Sequence, residues 1–300
     1  MSAIRVRDDR GRTLVWARPP QRVASLVPSD SYTLAHIGAG SRLVARTEFC
    51  VEPAAALGAV PTVGGTKNVD VDRLVALQPD VVFANQEENS RGDILRMHEA
   101  GLNVFVSFPK TVSQGVAHMA RLVTILGLAE EARDAVAAAY RAVADAERLR
   151  DAQRPVRTFV PIWMDPLMTV HGSTFISDVL ALSGAENVFA RRERRYPLAA
   201  DLGKADALPP ERVGERDVRY PRVTLDEVIA AQPELVLLPD EPHAFSEADA
   251  AVFRGLAIPA ARSERIVFCN GRDLMWPGAR SVQTLDRLRA LVRGGAASAR

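Results

Sequence analysis

Apolar and polar positions follow two rhythms along this chain, and the points where one gives way to the other outline its architecture. Residues 5–17 alternate around Asp8-Asp9-Arg10-Gly11, which predicts an opening hairpin. VASLV (23–27) is a short continuous apolar run ending at Pro28-Ser29-Asp30, as expected of a buried strand, and Ser29 and Asp30 are suited to cap the helix that follows as far as Gly38. LVAR (43–46) predicts another strand. VDVDRLVAL predicts a short amphipathic helix capped by Asp70 or Asp72, then Gln78-Pro79 and the strand VVFA. A helix over 90–99 stops at Gly101, and NVFVSF (103–108) is the next strand. Strands alternating with helices predict βαβ units and a mainly parallel sheet.

From Val112 the period becomes helical: Val116, Met119, Leu122, Val123, Leu126, Val136, Ala139, Tyr140 and Val143 recur at three- and four-residue steps. The stretch to Gln153 predicts one long helix or two nearly collinear ones, stopped by Pro155. After it the alternation resumes. TFVPIW, NVF, ELVLLP and RIVFCN read as strands, and 177–182, 225–231, 246–254 and 279–292 as helices. The tail GGAASAR is expected to fray.

Two passages repeat one design. LVALQPDVVFANQEEN and VIAAQPELVLLPDEPH place Pro79 and Pro233 at 233 − 79 = 154 residues apart, and at that offset Val69, Asp72, Ala76, Gln78 and Glu87 meet Val223, Asp226, Ala230, Gln232 and Glu241. LAHIGAGSRLVA and VLALSGAENVFA also align. The expected fold class is α/β: two similar α/β lobes with mainly parallel sheets, joined by a long α-helix, with a ligand cleft between the lobes. The expected segments are 1–111 for the N-terminal lobe, 112–154 for the linking helix and 155–300 for the C-terminal lobe. A length of 300 residues is what two domains of ordinary size need.

Charge narrows the partners. With 38 Lys and Arg against 37 Asp and Glu, the net charge near +1 supplies no general field for nucleic acid or an anionic membrane. No apolar run approaches the roughly 20 residues of a membrane span, and the start has no apolar core of a signal peptide. The chain as written therefore reads as cytoplasmic; an exported start ahead of it would make it periplasmic or cell-surface. Cys50 and Cys269 have no CxxC or His/Cys spacing around them, so neither a disulfide framework nor a metal site is expected.

In parallel α/β sheets ligands bind outside the carboxyl ends of the strands. Glu87, Glu88 and Asn89 fall there, as do Phe108, Trp163, Asp240, Glu241 and Trp276. The acids also suit solvated helix caps, Glu87 to Asn89 before Ser90 and Asp240-Glu241 before Ser246. Trp276, in DLMWPGAR, is the tryptophan expected to be most exposed. His171 and His243 lie in loops after strands and could meet a ligand or cation, whereas His36, His98 and His118 lie on helices and suit surface or core roles. Arg191, Arg192, Arg194 and Arg195 form a basic cluster that suits either a solvated loop or an anionic ligand. Catalytic motifs are poor: HIGAGSRL lacks the third glycine of a dinucleotide loop, and no GxxxxGK[ST], GxSxG or HExxH set is present.

PPQRVASLVPSDSYTLAHIGAGSRLVARTEFCVEP and VPTVGGTKNVDVDRLVALQPDVVFA resemble the N-terminal lobe of ABC-transporter substrate-binding proteins of the long-helix class, the helical backbone metal receptors for cobalamin and ferric siderophores. HGSTFISDVLALSGAENVFA, VTLDEVIAAQPELVLLP and GRDLMWPGARSVQTLDRLRAL resemble its C-terminal segments. The resemblance runs from about Arg5 to Val292 and is closest to the cobalamin branch, through TEFCVEP, VGGTKN and SGAENVF.

This resemblance implies a non-enzymatic receptor, without cofactor or metal site of its own, whose ligand is a metal chelate such as cobalamin. Phe49, Thr66, Glu87, Glu88, Trp163, His171, Tyr196 and Trp276 are the expected ligand-binding residues. Glu87, Glu88, Asp240 and Glu241 are the expected docking acids toward an ABC permease, and the chain is expected to act as a monomer. Family members carry a signal peptide or lipobox that this sequence does not show, so an intracellular carrier stands beside the importer receptor. A ferric-siderophore or haem receptor is one alternative. A chelatase-like or nucleotide-sugar transferase enzyme is another, disfavoured by the missing phosphate loop and the missing His/Glu pair at helical spacing.

Overall fold

The computed structural model describes residues 3–294; the tail beyond Gly294 lies outside them. These residues divide into two compact units: the chain up to Ala142 together with Trp276–Val282, and Val143–Met275 together with the chain from Gln283 onward.

The first unit opens with the antiparallel hairpin Ile4–Arg7 and Thr13–Trp16, as the alternation predicted. Its sheet has four parallel strands in the spatial order Leu43–Arg46, Val23–Ser25, Val81–Asn85, Val104–Ser107. All five residues of Val81–Asn85 are buried, so a central strand flanked by helices reads as an unbroken apolar run rather than an alternation. Leu26, Val63, Leu74, Val82, Met97 and Val106 belong to one core cluster.

The second unit repeats this topology. Its parallel strands follow the order Ala185–Asn187, Val156–Phe159, Leu235–Pro239, Ile266–Cys269, again second, first, third, fourth in the chain. Val81–Asn85 and Leu235–Pro239 occupy the same place in their sheets and lie at the repeat offset. Gln78 and Gln232 before them both have left-handed backbones, with φ of 48° and 45°. A residue in that conformation ends each helix, and the proline after it forbids continuation.

One of the two alternatives for the helical stretch is selected, and four expectations are corrected. The helical stretch is two helices, Val112–Leu126 and Arg133–Asp151, because Gly127 turns left-handed (φ 65°) and a Cβ there would stand 2.6 Å from Pro19 Cγ. The first of them packs within the first unit, where the Leu126 carbonyl accepts from Arg42 Nη1 at 2.7 Å. Ser29 and Asp30 do not cap: the helix Pro28–His36 starts at Pro28, which suits a first helical position, and Asp30 is turned inward. The strand near NVF is Ala185–Asn187, since the Asn187 side chain accepts from the Phe189 amide at 2.9 Å and bends the chain there. Only Thr158 and Phe159 of TFVPIW belong to a strand, Val156–Phe159, and Trp163 instead begins a separate small hairpin, Trp163–Met164 with Leu167–Met168. Ser90 and Ser246 are themselves the caps of the helices Arg91–Glu99 and Glu247–Arg254, so the acids before them do not serve that role.

Among the described residues no helix is long and apolar enough to cross a membrane.

Candidate functional site

In the first unit the turn after Val81–Asn85 is held by two asparagines. Asn85 Oδ1 accepts from the Glu87 amide at 2.7 Å and the Glu88 amide at 3.3 Å, while Asn89 Oδ1 accepts from the Asn85 amide at 2.8 Å. Asn89 Nδ2 reaches across the strand ends to the carbonyls of Leu26 (3.3 Å) and Thr66 (2.9 Å). This clamp holds Glu87 and Glu88 at the edge of the sheet and fixes the loop carrying Thr66. The Lys67 ammonium donates to the Glu87 carbonyl. The surrounding protein pushes the Glu88 carboxyl up, with Lys67 opposing and Glu87 and Asp30 adding.

Phe49 lies in the loop after Leu43–Arg46 and is 57% exposed. The Arg46 guanidinium pins that loop through the carbonyls of Thr47, Cys50, Leu57 and Val60. Gly65 passes close beneath: a Cβ there would meet Phe49 Cε2 at 3.2 Å and Asn68 Oδ1 at 2.5 Å. Cys50 is buried, and burial pushes its thiol up, which makes it an inert core residue.

Trp276, expected to be the exposed tryptophan, is only 6% exposed. It packs edge-on against Tyr32 with ring centroids 6.2 Å apart. The Arg280 guanidinium covers the same tyrosine at 5.5 Å and pairs with Glu52 at 3.1 Å. The Pro-Gly that follows brings the backbone against Thr33, whose hydroxyl accepts from the Ala279 amide at 3.2 Å. A loop that looked open in the sequence is sealed by that approach. His118 takes the satisfied-core role only in part: its Nε2 meets Asp30 Oδ1 at 2.8 Å with both residues buried, while among the described residues His118 Nδ1 and Asp30 Oδ2 have no hydrogen-bond partner.

In the second unit Trp163 is 43% exposed, and its indole Nε1 donates to the Asp165 carbonyl at 2.9 Å. The His243 ring leans on it at 5.4 Å and meets Phe245 edge-on at 4.6 Å, so DEPH contributes an aromatic wall. Asp240 Oδ1 accepts from the Gly271 amide at 2.7 Å, and Glu241 lies 3.7 Å from the Arg272 guanidinium. Burial, with Asp240 and Asp273 adding, pushes the Cys269 thiol far above the ordinary range.

His171 and Tyr196 are each tied to the segment 217–219 of the same unit. His171 Nδ1 accepts from the Ser173 amide at 3.1 Å, and the His171 amide donates to the Arg219 carbonyl at 2.8 Å. Tyr196 donates its hydroxyl to the Asp217 carbonyl at 2.7 Å, and its ring carries the Arg194 guanidinium at 4.5 Å. The basic cluster of the sequence is not simply solvated. Arg192 pairs with fully buried Asp201 at 3.0 Å and with Glu227 at 2.8 Å.

Each unit thus presents its own strand-end groups: Phe49, Thr66, Glu87 and Glu88 in the first, and Trp163, His243, Asp240 and Glu241 in the second, where Tyr196 also stands beside Arg194. Sequence reasoning missed the Asn85/Asn89 clamp and the wall made by His243 and Phe245. Asparagines at both ends of ANQEEN were the available signal for the clamp. Among the described residues no group of three or more His, Cys, Asp or Glu side chains could hold a metal ion. What the arrangement can do is cover an apolar surface with aromatic rings and flank it with acids.

Comparison with known proteins gives a consistent result. A family model described as periplasmic binding protein matches residues 23–221. A vitamin B12-binding protein of Yersinia pestis (strain Pestoides F) is 27% identical over 223 residues, covering 74% of this chain and 70% of that protein. Among solved structures, the periplasmic vitamin B12 binding protein BtuF of Vibrio cholerae superposes with a TM-score of 0.72 at 19% identity, over 92% of this chain and 97% of that one. The apo periplasmic heme-binding protein RhuT from Roseiflexus sp. RS-1 gives 0.72 at 17% identity, over 91% and 98%.

Proposed function

This chain belongs to the periplasmic binding protein family, and from that premise we propose that it is a non-enzymatic receptor for a metal chelate, a corrinoid first, serving an ABC permease. The observation that carries the reading is the pair of large aromatics left open to solvent at strand ends, Phe49 and Trp163, while Phe83, Phe105, Phe159, Phe253, Trp16 and Trp276 are buried. Exposed rings on rigid loops favour covering by a broad apolar face, which a corrin or porphyrin macrocycle supplies. The vitamin B12-binding relative supports the corrinoid over other macrocycles. Thr66, His171 and Tyr196 would be polar anchors, and Trp276 supports Tyr32 from behind rather than touching the ligand.

Glu87, Glu88, Asp240 and Glu241 are proposed to dock arginines of the permease. They sit at strand ends beside groups that hold the loops: Lys67 donates to the Glu87 backbone carbonyl, Asp240 accepts from the Gly271 amide, and Arg272 lies 3.7 Å from the Glu241 carboxylate.

A ferric-siderophore or haem ligand is the second reading, favoured by the arginines around Tyr196. Calorimetric titration with hydroxocobalamin, haem and a ferric hydroxamate tests both. One-to-one corrinoid binding at micromolar affinity or tighter, about −8 kcal/mol, supports the first; binding of haem or hydroxamate alone supports the second. No binding by any of the three refutes the receptor reading.

A further inference from the structure

We propose that the second unit carries a separate anion site, at the opposite end of its sheet from Trp163 and Asp240, where Arg154, Arg262 and Arg265 take a small organic dianion. The site does not depend on the chelate reading.

The strands Val156–Phe159, Leu235–Pro239 and Ile266–Cys269 run parallel, so their starts share one edge of the sheet and their ends the other. Arg154, Glu234 and Arg265 precede these strands by one or two residues. Together with Val156, Pro259 and Arg262 they line a cavity of about 470 Å³. That volume falls among the roughly 300–1,000 Å³ of small-molecule sites. Trp163 and Asp240 follow the other strand ends, and a strand of five residues is about 16 Å long, which separates the cavity from the aromatic edge.

Three guanidinium groups against one carboxylate leave the lining at 3 − 1 = +2. That carboxylate is engaged on both oxygens: Glu234 Oε1 accepts from Arg154 Nη2 at 2.8 Å and Oε2 from the Arg157 amide at 3.0 Å. Arg265 commits Nη2 to the carbonyls of Leu291 (3.4 Å) and Val292 (2.7 Å), which neutralise no charge. Arg262 is exposed, and among the described residues its guanidinium has no hydrogen-bond or ion-pair partner. The Arg154 side chain is 76% exposed, so a solute from solution reaches both of these groups.

The frame is held from behind. The Arg154 carbonyl accepts from Arg293 Nη1 at 2.9 Å. The Arg265 amide donates to the Ala260 carbonyl at 2.7 Å, the Ala260 amide to Pro233 at 2.9 Å, and the Val236 amide to Arg265 at 2.9 Å, which ties the segment bearing Arg262 to the strand Leu235–Pro239. An isolated surface arginine is solvated and argues for nothing. Here arginines 262 − 154 = 108 residues apart converge on a recess whose one lining carboxylate is already paired, and low-dielectric walls strengthen the excess positive charge. Guanidinium forks match the paired oxygens of phosphate or carboxylate, the faces of Val156 and Pro259 suit an apolar body, and two negative charges balance the lining.

The test is calorimetric titration of the full chain with adenosine monophosphate, pyrophosphate, succinate and uncharged adenosine, at about 20 mM and about 150 mM salt. The variants are Arg262→Gln, Arg262→Glu and Arg154→Gln, with Arg148→Gln as control, since that exposed arginine pairs with Asp145 on the helix Arg133–Asp151. We expect saturable one-to-one binding of at least one anion, with Kd below about 1 mM, and none of adenosine. Arg262→Gln should weaken it about tenfold and Arg262→Glu abolish it, while Arg148→Gln stays within about twofold. The Arg262 variants break no contact among the described residues, so they separate binding from folding even if Arg154→Gln loosens Glu234. Binding of either phosphate compound assigns a phosphate, and binding of succinate alone a carboxylate. No saturable binding of any anion, or binding that both Arg262 variants preserve, overturns the site. Hydroxocobalamin plays no part in these titrations, so its failure to bind would refute the receptor reading and leave this result standing.

Discussion

Replacing Trp163 by alanine isolates the contribution of one exposed ring to ligand affinity. A tryptophan side chain presents up to about 250 Å², and Trp163 is 43% exposed, which leaves about 100 Å² for a ligand to cover. At about 25 cal/mol per Å² the complete covering of that area is worth about 2.5 kcal/mol, or about 60-fold in Kd at tenfold per 1.4 kcal/mol. Half-covering gives about eightfold, so Trp163→Ala is expected to weaken hydroxocobalamin binding by about 8- to 60-fold, and Trp163→Phe by much less. Calorimetry gives the Kd. Thermal melting of the unliganded protein separates the effect on binding from any effect on folding through the bond to Asp165 and the contact with His243. A Kd within twofold of the wild type, with an unchanged melting temperature, would refute the placement of the ligand on this ring.

Four further outcomes follow from the structure. Gly271→Ala puts a Cβ 2.6 Å from Glu241 Cγ and 2.9 Å from its carbonyl oxygen; overpacking against backbone costs about 1–3 kcal/mol, and differential scanning calorimetry should show Tm lower by about 2–10 °C. Gly92→Ala in the helix Arg91–Glu99, with nothing within 4 Å of the new methyl, should hold or raise Tm. Acidification should destabilise in two stages. Burial holds His36 and His98 below 6.5, so the unfolded chain protonates first and stability declines as pH falls below that value. Asp9 is held below 3.8 because Arg121 and the Phe108 amide outweigh its burial, and Asp93 likewise by Arg96, Ser90 and the Val69 amide. Their contribution is fully present above the ordinary carboxylate value and drains away as pH drops through the lower folded values. Arg121→Met should therefore lower Tm at pH 7 and have less effect at pH 2, measured by melts across the range. Finally, Glu87→Gln with Glu241→Gln should leave corrinoid Kd within about twofold while reducing stimulation of the reconstituted permease's ATPase; a large loss of affinity instead would place these acids against the ligand.

The clearest readings from the sequence are those carried by a few neighbouring residues. The parallel sheets followed from apolar runs that stop at Gln-Pro, Gly and Asp, and the 154-residue repeat returned as identical strand orders, with the same left-handed glutamine before each central strand. Periodicity and turn chemistry act over four to eight residues, so a short window contains the whole cause. The break at Gly127 was half visible: the glycine marked it, but the approach of Pro19 that demands it comes from far along the chain.

Which side chains remain uncovered was a different matter. Trp276 and Trp163 stand in similarly polar loops, yet one is sealed by Tyr32 and the backbone near Thr33, and the other is left open beside His243. Nothing local distinguishes them, because exposure is settled by whatever arrives from distant segments. The arginines show the same division. FARRERRYPL announced a basic cluster, but only the fold shows that Asp201 answers Arg192, that Asp217 answers Arg219, and that Arg194 lies on the Tyr196 ring. By itself the sequence determined the two α/β repeats and the strand ends where a ligand would bind. The tertiary structure alone decided which rings and charges at those ends stay available, since hydrogen-bond partners and burial depend on contacts between residues far apart in the chain.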